Sequence, residues 1–433
     1  MLVPCRFLSL LLAASSLLAS DADDPACCNQ FRGPQRNGVY ASTGLLPSWP
    51  AEGPPQLWQQ TGLGGGYSSP IITPDGIFVT GDKDGQVLVS ALAVDGTIRW
   101  QRPNGQAWAK PYPGARSTIT YHRGLLYQLN GHGRLACLDA KTGHEVWAVP
   151  LLERFHAPNI QWGISECVLV EGNRVFALPG GPETLMVALS ATTGDLLWQS
   201  PPLRFLRTQA FGGKPVDPPA EDTDKAGYAS PVLVRVGDRE LLATASGRHF
   251  VLVDAASGEL VWSQEMRVQH EVIGAIPIVR DSDVFFSAPD CGGFLYRVTV
   301  VDGQVQVAKR WETPYDNGHG AMVLAGDSLV GSGYRKNREW AQLDWVTGQV
   351  LASLPGVPKG SAVWADGRVY AQSERGMLLL LEPTADALVE RGRLSLSDGK
   401  QANIWAHPVI HEGRLYLRVG GTLRCHDLRA ATR

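Results

Sequence analysis

One phrase recurs along the chain and restricts what it can fold into: an apolar strand ending in Asp, a Thr-Gly or Ser-Gly turn, then a strand with Trp four residues past the Gly. It runs from Leu138-Asp139 through Thr142-Gly143 to Trp147, from Leu189 through Thr193-Gly194 to Trp198, and from Val253-Asp254 through Ser257-Gly258 to Trp262. Asp95-Gly96 to Trp100 is a shortened copy. Leu343-Asp344 with Thr347-Gly348 is a degraded one, with Ala352 where Trp should stand. The Asp side chain supports the turn and the Gly supplies the left-handed backbone position that hairpins need. The Trp then covers the outer part of a sheet.

Two more phrases share that period. Before each copy stands an apolar strand pair: Ile77-Phe78, Leu126-Tyr127, Val175-Phe176, Leu241-Leu242, Val284-Phe285, Leu329-Val330, Val369-Tyr370 and Leu415-Tyr416. Before each pair lies a run of small residues, such as Tyr67-Ser68-Ser69-Pro70, Ala115-Arg116-Ser117-Thr118, Tyr228-Ala229-Ser230-Pro231 and Lys359-Gly360-Ser361. Units that recur every ~40–50 residues as short strands are propeller blades. Sustained helical periodicity is missing, and 48 Gly with 29 Pro suit a chain of strands and turns. The small-residue runs are read as the innermost strands, which converge on one axis and must pack closely. The expected fold is all-β: an eight-bladed β-propeller of four-stranded antiparallel blades over residues 55–430, with a Pro-rich insert at 201–226. The last repeat stops after Cys425 without an outer strand. Pro55-Gln56-Leu57-Trp58 can supply it, closing the ring and hiding an edge.

Charge excludes one class of function. The formal net charge is -3 and the cations are scattered, so no phosphate-tracking stripe exists and nucleic acid is not an expected partner. Residues 1–22 read as a signal peptide: Arg6, an apolar run over 7–18 too short to span a bilayer, then Ala19-Ser20-Asp21-Ala22. Residues 23–54 form a leader, and no later segment is apolar and long enough to cross a membrane. The expectation is an exported protein, periplasmic or extracellular, soluble or peripheral. Export permits disulfides among Cys27, Cys28, Cys137, Cys167, Cys291 and Cys425, but spacing does not assign pairs. Cys137 and Cys425 share one apolar repeat position and read as buried thiols.

The Leu-Asp-x-x-Thr-Gly-x-x-x-Trp style of repeat resembles the pyrroloquinoline quinone repeat propellers, the quinoprotein alcohol dehydrogenase-like family. Phe31-Arg32-Gly33-Pro34-Gln35-Arg36-Asn37-Gly38-Val39, Trp162-Gly163-Ile164-Ser165-Glu166, His319-Gly320, Lys359-Gly360-Ser361 and Trp405-Ala406-His407-Pro408 look like a group of exported members common in planctomycete-type bacteria. The resemblance spans about residues 30–430. It implies the fold, and two activities: quinone-dependent alcohol dehydrogenases, and non-catalytic members such as the propeller lipoprotein that helps assemble outer-membrane proteins.

The loops entering the innermost strands rim one channel mouth, so a site is sought there. They carry Tyr67, Arg116, Gln161, Trp162, Tyr228, His270, Glu271, Asn317, His319, Lys359, Asn403, Trp405 and His407. One reading is a pocket for an anionic or hydroxylated ligand, with Arg116 and Lys359 meeting carboxylates and Trp162 or Trp405 as a stacking floor. The other is a wet channel whose polar residues bond to backbone. A quinone dehydrogenase requires pyrroloquinoline quinone with Ca²⁺, an anion clamp and a carboxylate base. Glu166 and Asn317 are the metal-ligand choices by type, Arg116 or Lys359 the clamp and Glu271 the base; an Asp pair to match the enzymes is missing from the rim. Cys27-Cys28 is similar to those enzymes' vicinal disulfide but precedes the first blade, so that role is not carried over. The preferred expectation is a ligand-binding or protein-binding scaffold of the cell envelope. A quinone-dependent dehydrogenase of alcohols, sugars or polyols is the alternative, and the rim aromatics also allow a polysaccharide-binding module.

Overall fold

The structure, a computed structural model, describes residues 27–318, 320–335, 337–396 and 403–430. The signal peptide reading and His319 lie outside these residues. Eight four-stranded antiparallel sheets follow one another, at residues 71–106 (blade 1), 120–150 (2), 169–199 (3), 232–265 (4), 278–313 (5), 323–354 (6), 360–395 (7) and 409–427 (8). Blade 8 takes its fourth strand from Gln56–Gln60, which pairs antiparallel with Thr422–Asp427 and sets Trp58 opposite Cys425. The segment before blade 1 and the last blade are thereby fastened in one sheet. Helix is limited to the turn Leu151–Arg154 among the described residues.

The repeat residues act between blades rather than within them. Trp100 donates its indole N–H to the Lys141 carbonyl (3.1 Å), Trp147 to Ala191 (2.9 Å), Trp198 to Ala255 (3.1 Å), Trp311 to Trp345 (3.0 Å) and Trp58 to Val94 (3.1 Å). Each acceptor lies in the outer turn of the next blade, so the Trp staples its blade to its neighbour. The turn Gly beneath has two reasons to be Gly. Gly194 has φ +75°, and a Cβ there would stand 2.8 Å from the Trp147 ring. Where blade 6 has Ala352 in place of Trp, the following turn of blade 7, Thr384 to Ala387, has no Gly either. The Asp of the phrase behaves as the turn chemistry requires: Asp139 Oδ1 accepts from the Lys141 and Thr142 N–H groups and from the Thr142 hydroxyl. Cys137 and Cys425 are fully buried.

The small-residue runs correct one expectation. Except for Gly360-Ser361, which lie in Gly360–Ala365, they precede the short inner strands instead of forming them; blade 1's inner strand is only Ile71–Thr73. Close approach still explains their size, since a Cβ on Gly320 would stand 1.9 Å from the Gly360 carbonyl oxygen. Their hydroxyls stitch blades together: Ser69 N–H donates to Thr118 Oγ1, Cys167 N–H to Ser230 Oγ, and His407 N–H to Ser69 Oγ, each at 2.9 Å.

The leader is a plug. Residues 28–40 touch the inner parts of blades on opposite sides of the ring. The Ile72 N–H bonds to the Cys28 carbonyl and the Tyr121 N–H to that of Asn29. Arg36 donates to the Cys167 and Val168 carbonyls, Arg32 to those of Met322 and Ala362, and Val39–Tyr40 pairs in parallel with Trp364–Ala365. A tight turn makes this possible: Arg32, Gly33, Arg36 and Gly38 all have positive φ, and a Cβ on Gly38 would overlap the Arg32 guanidinium. Both arginines are almost fully buried and meet carbonyls instead of carboxylates, and burial lowers each to about 10. The insert is a β-hairpin, Arg204–Gln209 with Pro215–Thr223, outside the eight blades.

Candidate functional site

Above the plug the mouth opens into a basin of about 390 Å³. Phe31 of the plug and His407 form part of its floor, with ring centroids 4.9 Å apart. Arg32 Nη1 lies 3.0 Å from His407 Nδ1. Because a guanidinium can only donate, Nδ1 accepts and the ring proton sits on Nε2. Burial, and then the charge of Arg32, lower the His407 pKa well below its ordinary value. His407 therefore offers the basin a neutral ring. The rest of the floor is short and uncharged: Thr118, Ser165, Cys167 and Ser230.

The walls are aromatic. On one side Tyr67 and Tyr112 pack on Trp405, at 4.8 and 5.3 Å between centroids. On the other Trp162 meets Phe211 at 5.9 Å and Tyr228 at 6.3 Å, while Phe211 meets His270 at 5.1 Å. Phe211 comes from the tip of the insert hairpin, held down by the Gly212 N–H on the Gln269 carbonyl (2.9 Å). The Tyr228 hydroxyl accepts from the Trp162 backbone N–H (3.1 Å), which ties it to the Trp162 loop, and burial raises it to about 12.

Arg116 lines the basin, but its guanidinium is engaged by the Trp162, Tyr112 and Gly114 carbonyls and lies over the Trp108 ring at 5.3 Å. Those bonds brace two loops at the mouth, 107–119 and the one that carries Trp162. Burial lowers its pKa, while Asp82 nearby is raised to about 6, also by burial.

A second cavity, of about 320 Å³, lies behind the Phe211, Tyr228 and His270 wall. Gln161 and Glu271 line it, together with Lys110, Arg207 and Lys225. Glu271 is taken by Arg207 (2.5 Å) and Arg248 (3.2 Å), with Lys225 at 3.9 Å. Burial alone would raise this carboxyl; the Arg207 bond and charge hold it below its usual value. It is thus an anchor for the hairpin, and a base is poorly served by an ionised, doubly paired carboxylate.

Two other expected roles are corrected by placement. Lys359 pairs with Glu374 (2.6 Å) beside Asn317 in a separate crevice, with its ammonium over the Tyr334 ring, so it does not clamp a ligand in the basin. Glu166 and Asn317 do not meet. Glu166 is buried just before blade 3, accepts from the Leu178 N–H (3.0 Å) and is raised to about 7 by burial. Asn317 donates to the Ser332 carbonyl (2.9 Å) at the entry to blade 6. Among the described residues no three His, Cys, Asp or Glu stand together as metal donors. The donor set named for Ca²⁺ therefore does not fit that ion. Cys27 and Cys28 are not bridged to each other; Cys27 Sγ donates to the Ile72 carbonyl (3.2 Å) and Cys28 Sγ to that of Ile410 (3.4 Å).

The rim positions Tyr67, Arg116, Trp162, Tyr228, Trp405 and His407 share one cavity with His270. Residues beyond those rim positions complete it: Phe31, Tyr112, Phe211 and Tyr334. The signal for two of them was local, an aromatic beside a Gly-rich turn in Phe31-Arg32-Gly33 and Phe211-Gly212-Gly213.

A family model described as outer membrane protein assembly factor BamB matches residues 83–350 and 223–431. BamB from Moraxella catarrhalis superimposes with a TM-score of 0.59 at 15% identity, over 87% of this chain and 98% of that one. Quinohemoprotein alcohol dehydrogenase from Comamonas testosteroni gives 0.64 at 11% identity, over 96% and 82%. The computationally designed Ika8 protein gives 0.56 at 13%, over 86% and 99%. No curated protein matches the sequence. At these identities the structural likenesses show the fold alone.

Proposed function

The chain belongs to the family described as outer membrane protein assembly factor BamB, a pyrroloquinoline-quinone-repeat propeller, and from that premise we propose that it is an exported binding propeller of the cell envelope that holds a hydroxylated, ring-bearing ligand in its aromatic basin. The observation that carries this reading is the pairing of facing aromatic walls with a floor of hydroxyls and a neutral His407 above a plugged channel. Such a pocket is concave, mostly apolar and furnished with a few fixed polar groups. The apolar run at 7–18 supports export. No helix of the described residues is long and apolar enough to cross a membrane.

The family brings a second reading, a protein partner at the same face. Leu206 and Phe211 support it, exposed at 56% and 42% on the insert hairpin. The dehydrogenase reading has less support, because the Ca²⁺ donors lie apart and the carboxylate named as base is paired. The deciding experiment is a thermal-shift and tryptophan-fluorescence titration of the mature protein with soluble saccharides and polyols, and with pyrroloquinoline quinone with and without Ca²⁺. Saturable binding of a saccharide or polyol, lost in Trp405→Ala, is the expected result. Stoichiometric quinone binding with dye-coupled alcohol oxidation would overturn it.

A further inference from the structure

Resting on that binding reading, we infer that the mouth takes an acidic sugar chain, a uronate-bearing oligosaccharide whose rings stack in the basin while a carboxylate enters the second cavity. The two cavities, about 390 and 320 Å³, lie side by side and share Phe211, Tyr228 and His270 as lining residues. Together they offer room for more than one ring, and the insert hairpin creates the division between them.

Each compartment has its own chemistry. The basin presents aromatic faces from Tyr67, Trp405, Trp162 and Phe211, and short hydroxyls from Thr118, Ser165 and Ser230. A pyranose has the matching duality: C–H faces that lie on an aromatic ring, and hydroxyls at its edge. The second cavity is polar and cationic. Lys110, Arg207 and Lys225 line it against one carboxylate, Glu271. Behind the wall Arg207 also meets Asp222 (2.5 Å) and Arg248 meets Glu265 (3.7 Å). The two ammonium groups of the lining are held at longer range, Lys225 at 3.9 Å from Glu271 and Lys110 over the Trp108 ring at 5.6 Å. An incoming carboxylate gains charge-assisted hydrogen bonds from these ammonium groups. A neutral sugar fits the basin equally well and gains nothing from the second cavity.

The test is calorimetric titration of the full mature chain with tetragalacturonate, tetramannuronate and tetraguluronate, and with galactotetraose and mannotetraose as neutral chains of equal length. At least one acidic tetrasaccharide is expected to bind about tenfold more tightly than its neutral counterparts. The advantage should shrink between low and physiological salt, as screened charges require. Lys110→Met with Lys225→Met should remove the advantage while leaving neutral-chain affinity and thermal stability unchanged. Equal affinity for neutral and acidic chains overturns the inference and leaves the binding reading standing. If no oligosaccharide of either kind binds, the inference falls as well; a saccharide or polyol response in the fluorescence titration then decides whether the broader reading survives.

Discussion

The outer ring and the inner mouth of this propeller are built on opposite rules. At the periphery one device recurs, a Trp ring over the next blade's turn Gly with its N–H on that turn's carbonyl, at five of the eight blade junctions. At the centre the small-residue runs recur, but the large side chains among them do not. Arg32, Arg36 and Arg418 are each buried against a different set of carbonyls, and each mouth loop carries its own aromatic or polar residue. Repetition here marks assembly of the ring. Departures from it mark the plug and the basin.

The largest effect should come from the centre. Arg32→Met removes the donor to the Asn37, Met322 and Ala362 carbonyls and to His407 Nδ1 at once. Denaturant unfolding should show a loss of about 3–5 kcal/mol, since several buried acceptors are orphaned together. A loss under 1 kcal/mol would mean that the plug is not a structural member of the ring.

At the periphery, Trp147→Ala should cost about 3–4 kcal/mol as a core-type truncation. Gly194→Ala should cost about 1–3 kcal/mol, from a strained positive φ and the collision with the Trp147 ring. In the double variant the collision disappears, so the two costs should sum to less than additivity predicts. Strict additivity would break the staple. The same substitution at the mouth, Trp162→Ala, should change stability by about 1 kcal/mol or less, because the ring is half-buried and the backbone N–H bond to Tyr228 survives.

Glu166 sharpens the contrast through pH. Its folded pKa of about 7 lies above the ordinary 4.5. Its contribution to stability is therefore fully present below about pH 4.5 and is lost as pH rises through 7. Glu166→Gln should leave acid stability alone and gain roughly 2–3 kcal/mol at pH 8, flattening the stability profile across that window. An unchanged profile would show that the carboxyl is not held in a dry site beside Arg36.

These contrasts also explain what could be read from residues alone. The turn chemistry is local, so Asp139, Gly143 and Trp147 announce it within ten positions of each other, and its recurrence gives the blade count. Closure by Trp58 pairs distant segments and was legible because the last repeat lacks an outer strand. The mouth was legible by loop position, which is how Arg116, Trp162, Trp405 and His407 came to be considered together. Chemical type misled where long-range partners decide: Lys359 and Glu271 look free in sequence and are paired in the fold by Glu374 and by Arg207 with Arg248. The plug was illegible for the same reason. Arg32 meets its acceptors about 300 residues downstream, a pairing that no period or motif encodes.

The central claim is that the mouth, and not the repeated rim, is the working face. Hydrogen–deuterium exchange of the mature protein with and without a saturating acidic tetrasaccharide tests it most directly. Protection should appear at residues 65–70, 112–118, 160–167, 209–213 and 403–407, with outer turns such as 139–144 and 190–195 unchanged. Protection confined to the outer turns, or absent from the mouth at a ligand concentration that saturates binding, would contradict the account.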